Sequence, residues 1–155
     1  MVSVLFVCLG NICRSPMAEA VFRHLVKEEG LDQKIRIDSA GTGHWHIGNP
    51  PHKGTQQILH KNNIDFTGIR ARQIQVKDFK EFEYIIVMDS DNLRNVTQFN
   101  DSENVVVKRL LDYTEHYVQK DVPDPYYTGN FQEVYEMVQT ACTNLLQDIR
   151  IRENI

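Results

Sequence analysis

Short apolar runs alternate with helical periodicities along this chain. The first run, Val2–Val7, is rich in β-forming residues and alternates little, which is typical of a central parallel strand covered on both faces. Similar runs predict strands at Ile35–Ser39, Tyr84–Met88 and Val105–Val107, with a short additional one near Gln73–Val76. The strands are separated by stretches long enough for helices, so the pattern indicates an open α/β sheet.

Helical spacing of apolar residues supplies the connecting elements. The first helix is expected to have Ser15 as its N-cap and Pro16 at its first helical position, and to stop at Gly30. Three further helices are predicted: about His52–Lys61, Ser90 to about Phe99, and a last one after Asn130. Together these elements predict one α/β domain over residues 1–155, an open parallel four-stranded sheet flanked by helices on both faces.

Composition narrows the possible functions. The 155 residues are 41% hydrophobic and 25% charged, as in ordinary globular proteins, and the net charge is −4. Such a chain has no general attraction to nucleic acid or to anionic membranes, so any anion site must be local. No signal-peptide or membrane-spanning pattern is present, so we expect a cytoplasmic location, with export lacking a cleavable signal as the alternative.

Three cysteines, Cys8, Cys13 and Cys142, are too few and odd in number for a disulfide framework. Zinc would need four ligands, and no second pair of cysteines or histidines has matching spacing. We therefore expect no metal and no other cofactor. Cys142 falls within the last helix and is expected to be inert.

The loop Cys8–Ser15 carries the chemistry. It follows the first strand and leads into a helix N-terminus, where free N–H groups and the helix dipole favour a phosphate-sized anion. Arg14 adds a planar fork of donors for two phosphate oxygens. A thiolate is favoured in the same surroundings, which makes Cys8 a candidate nucleophile, and the Ser15 hydroxyl could donate to its sulfur.

The alternative for Cys8 is a small buried hydrophobic residue, the usual fate of a cysteine after a strand. A cysteine and an arginine six positions apart are a weak signal. The whole string Cys-x5-Arg-Ser, between a buried strand and Pro16, favours a phosphate-binding loop with a nucleophile.

The segment from Val7 to Ala20 resembles the signature of the low-molecular-weight protein tyrosine phosphatases. The resemblance continues, in order, through these segments: Asp38–Gly41, Ile47–Pro51, Ala71–Gln73, Met88–Asp89 with Asn92–Leu93, and Asp121–Tyr127. The resemblance covers nearly the whole chain, and the family members that this chain resembles are of the bacterial type. It implies hydrolysis of phosphotyrosine in proteins, and of aryl phosphates, through a phosphocysteine on Cys8, with Arg14 binding phosphate.

The same resemblance implies that Asp124, between two prolines, is the general acid and then the general base. Asp and Pro are also common in plain turns, and composition alone does not separate the two readings. Asp121 is the nearby rival and lies outside the Asp-Pro-Tyr-Tyr match, so we expect it to be structural or solvated.

Aromatic residues should form the rim of the site. Trp45 lies in the glycine-rich loop Gly41–Gly48, where a tryptophan is rarely buried completely and so suggests a contact surface. The resemblance implies that Trp45 and Tyr126 flank the substrate ring. Tyr127 is expected either to contact substrate or to pack internally, and paired tyrosines of this kind can be phosphorylated in the family.

Other loop residues receive supporting roles from the resemblance. Leu9, Gly10 and Ile12 would line the phosphate, and Cys13 could trap an oxidised Cys8 as a disulfide. Asn11 and Ser39 would hold the loop in shape through hydrogen bonds. One departure is Ile69, which replaces a histidine that supports this loop in many members, so the support of Asn11 is expected to differ.

Three alternative functions share parts of this pattern. Thioredoxin-coupled arsenate reductases share the fold and the loop, but they need further cysteines in mid-chain, and none lies between Cys13 and Cys142. Protein arginine phosphatases carry a threonine where this chain has Ile12. A silent phosphoprotein-binding module would not need both Cys8 and Asp124. Phosphotyrosine-containing proteins are the expected partners of a monomer, with weak self-association as the alternative.

Overall fold

The computed structural model describes residues 1–100 and 102–155. Its four strands are β1 (Val2–Cys8), β2 (Ile35–Gly41), β3 (Tyr84–Val87) and β4 (Val106–Arg109). They form one sheet in the order β2-β1-β3-β4, and every neighbouring pair is parallel. The predicted open α/β fold with a four-stranded parallel sheet is confirmed.

Helices connect these strands and cover both faces of the sheet. They are α1 (Arg14–Glu28), α2 (Lys53–Lys61), α3 (Asp78–Glu81), α4 (Ser90–Phe99), α5 (Pro125–Thr128) and α6 (Phe131–Glu153), with a 3₁₀ turn at Leu110–Tyr113. Within the described residues, no helix combines the length and apolar character needed to cross a bilayer.

Strand β1 is buried along its whole length, as its unbroken apolar run predicts. Val4 and Phe6 point into a core shared with α1, α2 and α6. Leu5 and Val7 point to the opposite face, into a second core that includes Phe79 of α3 and residues of α4. This alternation fixes β1 between the two helical layers.

Two helix starts differ from the prediction. Helix α1 begins at Arg14 with Cys13 at the N-cap position, so the expected Ser15 cap was wrong. Ser15 lies inside the first turn because its hydroxyl is engaged by Asn11 and lies beside Cys8. Likewise Asp89, not Ser90, caps α4, and its Oδ1 accepts from the Asn92 amide at 2.7 Å.

The short strand expected near Gln73–Val76 was also wrong. Gln73 makes a single bridge with Gly41, and the chain then turns into α3. The turn forms because the carboxylate of Asp78 accepts from the Gln75 amide at 2.7 Å.

The order of strands determines where a ligand can bind. β1 leads through α1 to β2 on one side, and its other neighbour β3 leads through α4 to β4 on the other side, so the connections from the carboxyl ends of β1 and β3 run in opposite directions. In open α/β sheets, ligands bind in the crevice formed at such a point. Here Cys8 is the last residue of β1.

Candidate active site

The loop between β1 and α1 is wound around the sulfur of Cys8. The Asn11 amide donates to Cys8 Sγ at 3.3 Å, and Ser15 Oγ lies 2.9 Å from the same sulfur. Asn11 has φ of +56°, in the left-handed region that asparagine tolerates better than most residues. This conformation turns the Asn11 amide back toward Cys8.

The carboxyl end of β2 braces the start of this loop. The amides of Thr42 and Gly43 donate to the carbonyls of Cys8 and Leu9, each at 2.9 Å. A Cβ atom at Gly41 would lie 2.8 Å from the Leu9 oxygen, closer than a real side chain allows. Glycine at position 41 therefore permits the backbone of β2 to touch the loop.

The side chain of Asn11 joins three parts of the site. Its Nδ2 donates to Ser15 Oγ at 2.7 Å and to Ser39 Oγ at 3.0 Å, while its Oδ1 accepts from the Arg72 amide at 2.9 Å. Ile69 is buried in the core. Asn11 thus receives its support from a backbone amide and two hydroxyls.

Arg14 lies at the base of the site with 2% of its surface exposed. Its Nη1 donates to Asp89 Oδ2 at 2.6 Å and to the Val122 carbonyl at 3.0 Å. Burial alone would lower the pKa of Arg14, but Cys8 and Asp89 outweigh that effect and hold the pKa above its usual value. Its Nε is buried and finds no protein acceptor among the described residues. The Nη1 edge of the guanidinium is therefore fixed, while Nε is a donor still available to an anion.

Asp124 comes to the opposite side of the same cavity. It caps the short helix α5, with Oδ1 accepting from the Tyr126 amide at 3.0 Å, and Oδ2 lies 3.4 Å from Arg14 Nη2. Asp121 lies further back, where its Oδ1 accepts from the amide and the hydroxyl of Ser90 at 2.9 and 2.8 Å. Asp121 therefore anchors the segment that carries Asp124.

These groups enclose a cavity of about 210 Å³. Trp45, which is 64% exposed, lines the mouth of this cavity together with Tyr126 and Tyr127, and the rings of the two tyrosines meet edge to face at 5.3 Å. His52 supports this wall from behind, because its ring stacks on Phe131 and meets Tyr126 edge-on. The cavity thus has a polar base and an aromatic mouth.

The predicted site residues fall into two groups. The first group lines the cavity: Cys8, Leu9, Gly10, Ile12, Cys13, Arg14, Trp45, Asp124, Tyr126 and Tyr127. The second group, Asn11, Ser15 and Ser39, lies buried behind the wall and is hydrogen-bonded together. The structure thus brings every predicted residue to this end of the sheet.

Sequence reasoning missed three contributors. Asp89 and the Val122 carbonyl hold Arg14, and His46 lines the cavity beside Gly10. Asp89 had a usable signal, because it follows the end of β3, and the carboxyl ends of parallel strands meet at one edge. Val122 and His46 lie in loops whose course the sequence pattern does not give.

The remaining cysteines differ from Cys8 in their surroundings. Burial and the nearby Cys8 raise the pKa of Cys13 to about 12. Cys142 is fully enclosed in α6, and burial raises its pKa strongly. All three cysteines are free thiols. Near neutral pH, Cys13 and Cys142 are therefore expected to stay protonated.

This arrangement suits transfer of a phosphoryl group to sulfur. The first turn of α1 has no side-chain cap within the described residues, so its amides are left for an anion. Arg14 adds a buried cation, and Cys8 and Asp124 line the same cavity. Such an arrangement can supply an anion cradle, a nucleophile and an acid.

Comparisons with known proteins agree with this geometry. Residues 3–154 match the family model described as low molecular weight phosphotyrosine protein phosphatase. The chain is 56% identical over 153 residues to the Bacillus subtilis low molecular weight protein-tyrosine-phosphatase YfkJ, covering 97% of each chain. It is 47% identical over 149 residues to PtpA of Staphylococcus aureus, a protein of the same description, covering 96% of this chain and 94% of that one.

Solved structures show the same likeness. The crystal structure of YfkJ superimposes with a TM-score of 0.93, covering 98% of this chain and 96% of that one at 54% identity. A Drosophila arginine phosphatase superimposes with a TM-score of 0.88, covering 95% of this chain and 97% of that one at 34% identity. From the motif, the fold and these matches, the chain belongs to the low molecular weight phosphotyrosine protein phosphatase family.

Proposed function

We propose that this protein hydrolyses phosphotyrosine in proteins through a phosphocysteine intermediate on Cys8. The observation that carries the proposal is the placement of Cys8, Arg14 and Asp124 around one cavity at the carboxyl end of β1. The family relationship supports the same reaction, since the most similar relatives reported above are described as protein-tyrosine-phosphatases.

In the first step, the Cys8 thiolate attacks phosphorus and the bond from phosphorus to the tyrosine oxygen breaks. Asp124, in its protonated form, gives its proton to the departing oxygen. Arg14 and the free amides of the loop and of the first turn of α1 bind the equatorial oxygens, whose charge they stabilise in the transition state. The products are a phosphocysteine and free tyrosine side chain.

In the second step, Asp124 is a carboxylate and takes a proton from water. The oxygen of that water attacks phosphorus, and the bond from sulfur to phosphorus breaks. Sulfur leaves as a thiolate, which the Ser15 hydroxyl at 2.9 Å can stabilise by donating a hydrogen bond. Inorganic phosphate is released and both groups return to their starting states.

The aromatic mouth favours a flat ring on the substrate. Trp45 and Tyr126 stand on the rim of a cavity whose base is polar, so a phenyl phosphate can place its phosphate at Arg14 and its ring between them. Proteins with exposed phosphotyrosine are therefore the proposed partners. The cytoplasm remains the location expected from the sequence.

Phosphoarginine is the second candidate substrate, because a Drosophila arginine phosphatase shares the fold closely. Ile12 lines the cavity and offers a phosphoguanidine no hydrogen bond from its side chain. This argues for phosphotyrosine over phosphoarginine.

Single-turnover stopped-flow kinetics on phosphotyrosine and phosphoarginine peptides, without added metal, test the proposal. Wild type should release the dephosphorylated tyrosine peptide in a burst, while Cys8→Ser should lose turnover and still bind phosphate. Substantial turnover by Cys8→Ser would refute the nucleophile. A preference for the phosphoarginine peptide would leave the phosphocysteine mechanism in place and overturn the argument from Ile12. Binding of the peptides without release of phosphate from either one would indicate a silent binding module.

A further inference from the structure

A buried carboxylate on α1 lies outside the cavity and has no role in the mechanism above. Glu19 is 7% exposed, and its Oε1 accepts from Ser39 Oγ at 2.6 Å. Burial raises the pKa of Glu19 to about 7, with a smaller opposing effect from the Ser39 hydrogen bond. A carboxyl group is costly to bury, so its position calls for a physical reason.

Glu19 ends a hydrogen-bonded chain that begins at the nucleophile. Cys8 Sγ lies 2.9 Å from Ser15 Oγ, which accepts from Asn11 Nδ2 at 2.7 Å. The same Nδ2 donates to Ser39 Oγ at 3.0 Å, and Ser39 donates to Glu19 at 2.6 Å. All five residues are buried.

Two contacts, one at Glu19 and one at the Arg72 amide, give the bonds in this chain their direction. Glu19 Oε1 accepts the only proton of the Ser39 hydroxyl, and the Ser39 oxygen in turn accepts from Asn11. The Arg72 amide can only donate, so the Asn11 atom facing it at 2.9 Å must be Oδ1. Both hydrogens of Asn11 Nδ2 are therefore spent on the hydroxyls of Ser39 and Ser15.

The Ser15 oxygen accepts from Asn11 with one lone pair, so the Ser15 hydroxyl proton is free to be donated to Cys8. We propose that Glu19 is a positioning residue. By accepting the proton of Ser39, it holds the Ser39 oxygen as an acceptor for Asn11, which keeps Asn11 in place to donate to Ser15 and leaves the Ser15 hydroxyl free to donate to the Cys8 sulfur. The inference rests on the proposed function, because it matters most where sulfur acts as nucleophile and leaving group.

Two substitutions of Glu19 distinguish its role as a hydrogen-bond acceptor from the effect of its charge. Glu19→Met has a similar size and no oxygen, so Ser39 loses its acceptor and its hydroxyl can turn away from Asn11, which leaves one Nδ2 hydrogen of Asn11 without its acceptor. Glu19→Gln keeps a carbonyl oxygen at the same place without the charge. We expect kcat to fall about 10–100-fold in Glu19→Met, in the range of a hydrogen bond to a charged group, and by less than about threefold in Glu19→Gln.

A double-mutant cycle with Ser15→Ala tests whether Glu19 acts through Ser15. Once Ser15 is removed, Glu19→Met should change kcat by less than about twofold. If the fold losses in kcat of the two single variants multiply fully in the double variant, Glu19 supports only the fold. If Glu19→Gln lowers kcat as much as Glu19→Met does, the charge of Glu19 matters and not its role as a hydrogen-bond acceptor. Either result overturns the proposal.

A readout independent of phosphatase turnover is the pH dependence of Cys8 alkylation by iodoacetate, followed by mass spectrometry. Its midpoint should move to higher pH in Glu19→Met and stay near wild type in Glu19→Gln. This shift can be seen even if the proposed substrate is wrong, and an unmoved midpoint in Glu19→Met would count against the proposal.

Matched controls guard against a folding defect. Glu28→Met makes the same change at an exposed position on the same helix and should leave kcat within about twofold of wild type. If Glu19→Met does not fold, Ser39→Ala breaks the same chain at its next link and should show the same lack of additivity with Ser15→Ala. Full additivity there would overturn the proposal equally.

Discussion

The base and the mouth of the cavity are built in opposite ways. At the base, Cys8 and Arg14 are each 2% exposed and are held by short polar contacts from several elements. At the mouth, Trp45 and Tyr127 are 64% and 77% exposed and make mainly ring contacts with their neighbours. The base is fixed before substrate arrives, while the mouth is free to adapt.

Because of this difference, the base and the mouth are expected to affect different kinetic parameters. Groups fixed in place stabilise charge that develops in the transition state, and their loss lowers kcat. Groups that touch the substrate equally before and during reaction lower KM without raising kcat. Base substitutions should therefore act on kcat, and mouth substitutions on KM.

The largest effect expected after loss of Cys8 is at Asp124. Asp124→Asn keeps the shape and the cap of α5 but carries no transferable proton, so phosphoryl transfer to Cys8 should slow by about 10²–10⁴-fold. Pre-steady-state release of phenols of increasing basicity measures this. A negligible effect on the most basic leaving group would move the acid role to another residue.

A smaller effect is expected at Asp89, which touches Arg14 and not the cavity centre. Asp89→Asn replaces the carboxylate beside Arg14 Nη1 with an amide, so the guanidinium should lose orientation and kcat should fall roughly 10–100-fold. Steady-state kinetics on a phosphotyrosine peptide checks this. Asp112→Asn, an exposed carboxylate paired with Arg109, is the control, and an equal loss there would discount the contact with Arg14.

At the mouth, Trp45→Ala should raise KM by up to about tenfold and leave kcat nearly unchanged, since an aromatic contact contributes about 0.5–1.5 kcal/mol. Comparing a phosphotyrosine peptide with a small alkyl phosphate sharpens the result, because the alkyl phosphate has no ring to lose. A fall in kcat comparable to that of Asp89→Asn would contradict the proposed division.

The smallest effect is expected for the second loop cysteine. Because the pKa of Cys13 is raised to about 12, its thiol should remain protonated and react negligibly with iodoacetate between pH 6 and pH 9, roughly, while Cys8 reacts. Peptide mapping after alkylation locates the label. Equal labelling of both cysteines would show that Cys13 is far less shielded than its surroundings indicate.

Much of the base could be read from the sequence because it is local. The apolar run of β1, the loop and the helix start follow one another within 20 residues, and each has a chemical signature that does not depend on the rest of the chain. Glycine and asparagine, at positions 10 and 11, are residues typical of turns, and the unbroken apolar pattern predicts that β1 is buried.

The features that the sequence did not predict depend on contacts between residues far apart along the chain or on hydrogen bonds that a residue's type does not reveal. Serine is a common helix cap, but Asn11 and Cys8 occupy the hydroxyl of Ser15, and the cap lies two residues earlier, at Cys13. Asp89 reaches Arg14 only because β3 lies next to β1, an order that the hydrophobic pattern does not specify. Tertiary neighbours decided both cases.

The uncapped start of α1 has a thermodynamic consequence for the whole protein. A phosphate bound there satisfies amides that no side chain in the described residues caps, and it binds the folded chain alone, since the loop exists only when β1 and α1 are in place. By mass action, each tenfold rise in phosphate above its Kd should add about 1.4 kcal/mol to the free energy of unfolding. The product of the reaction is thus also a stabilising ligand, and thermal melting at graded phosphate concentrations would display that linkage as a steadily rising Tm.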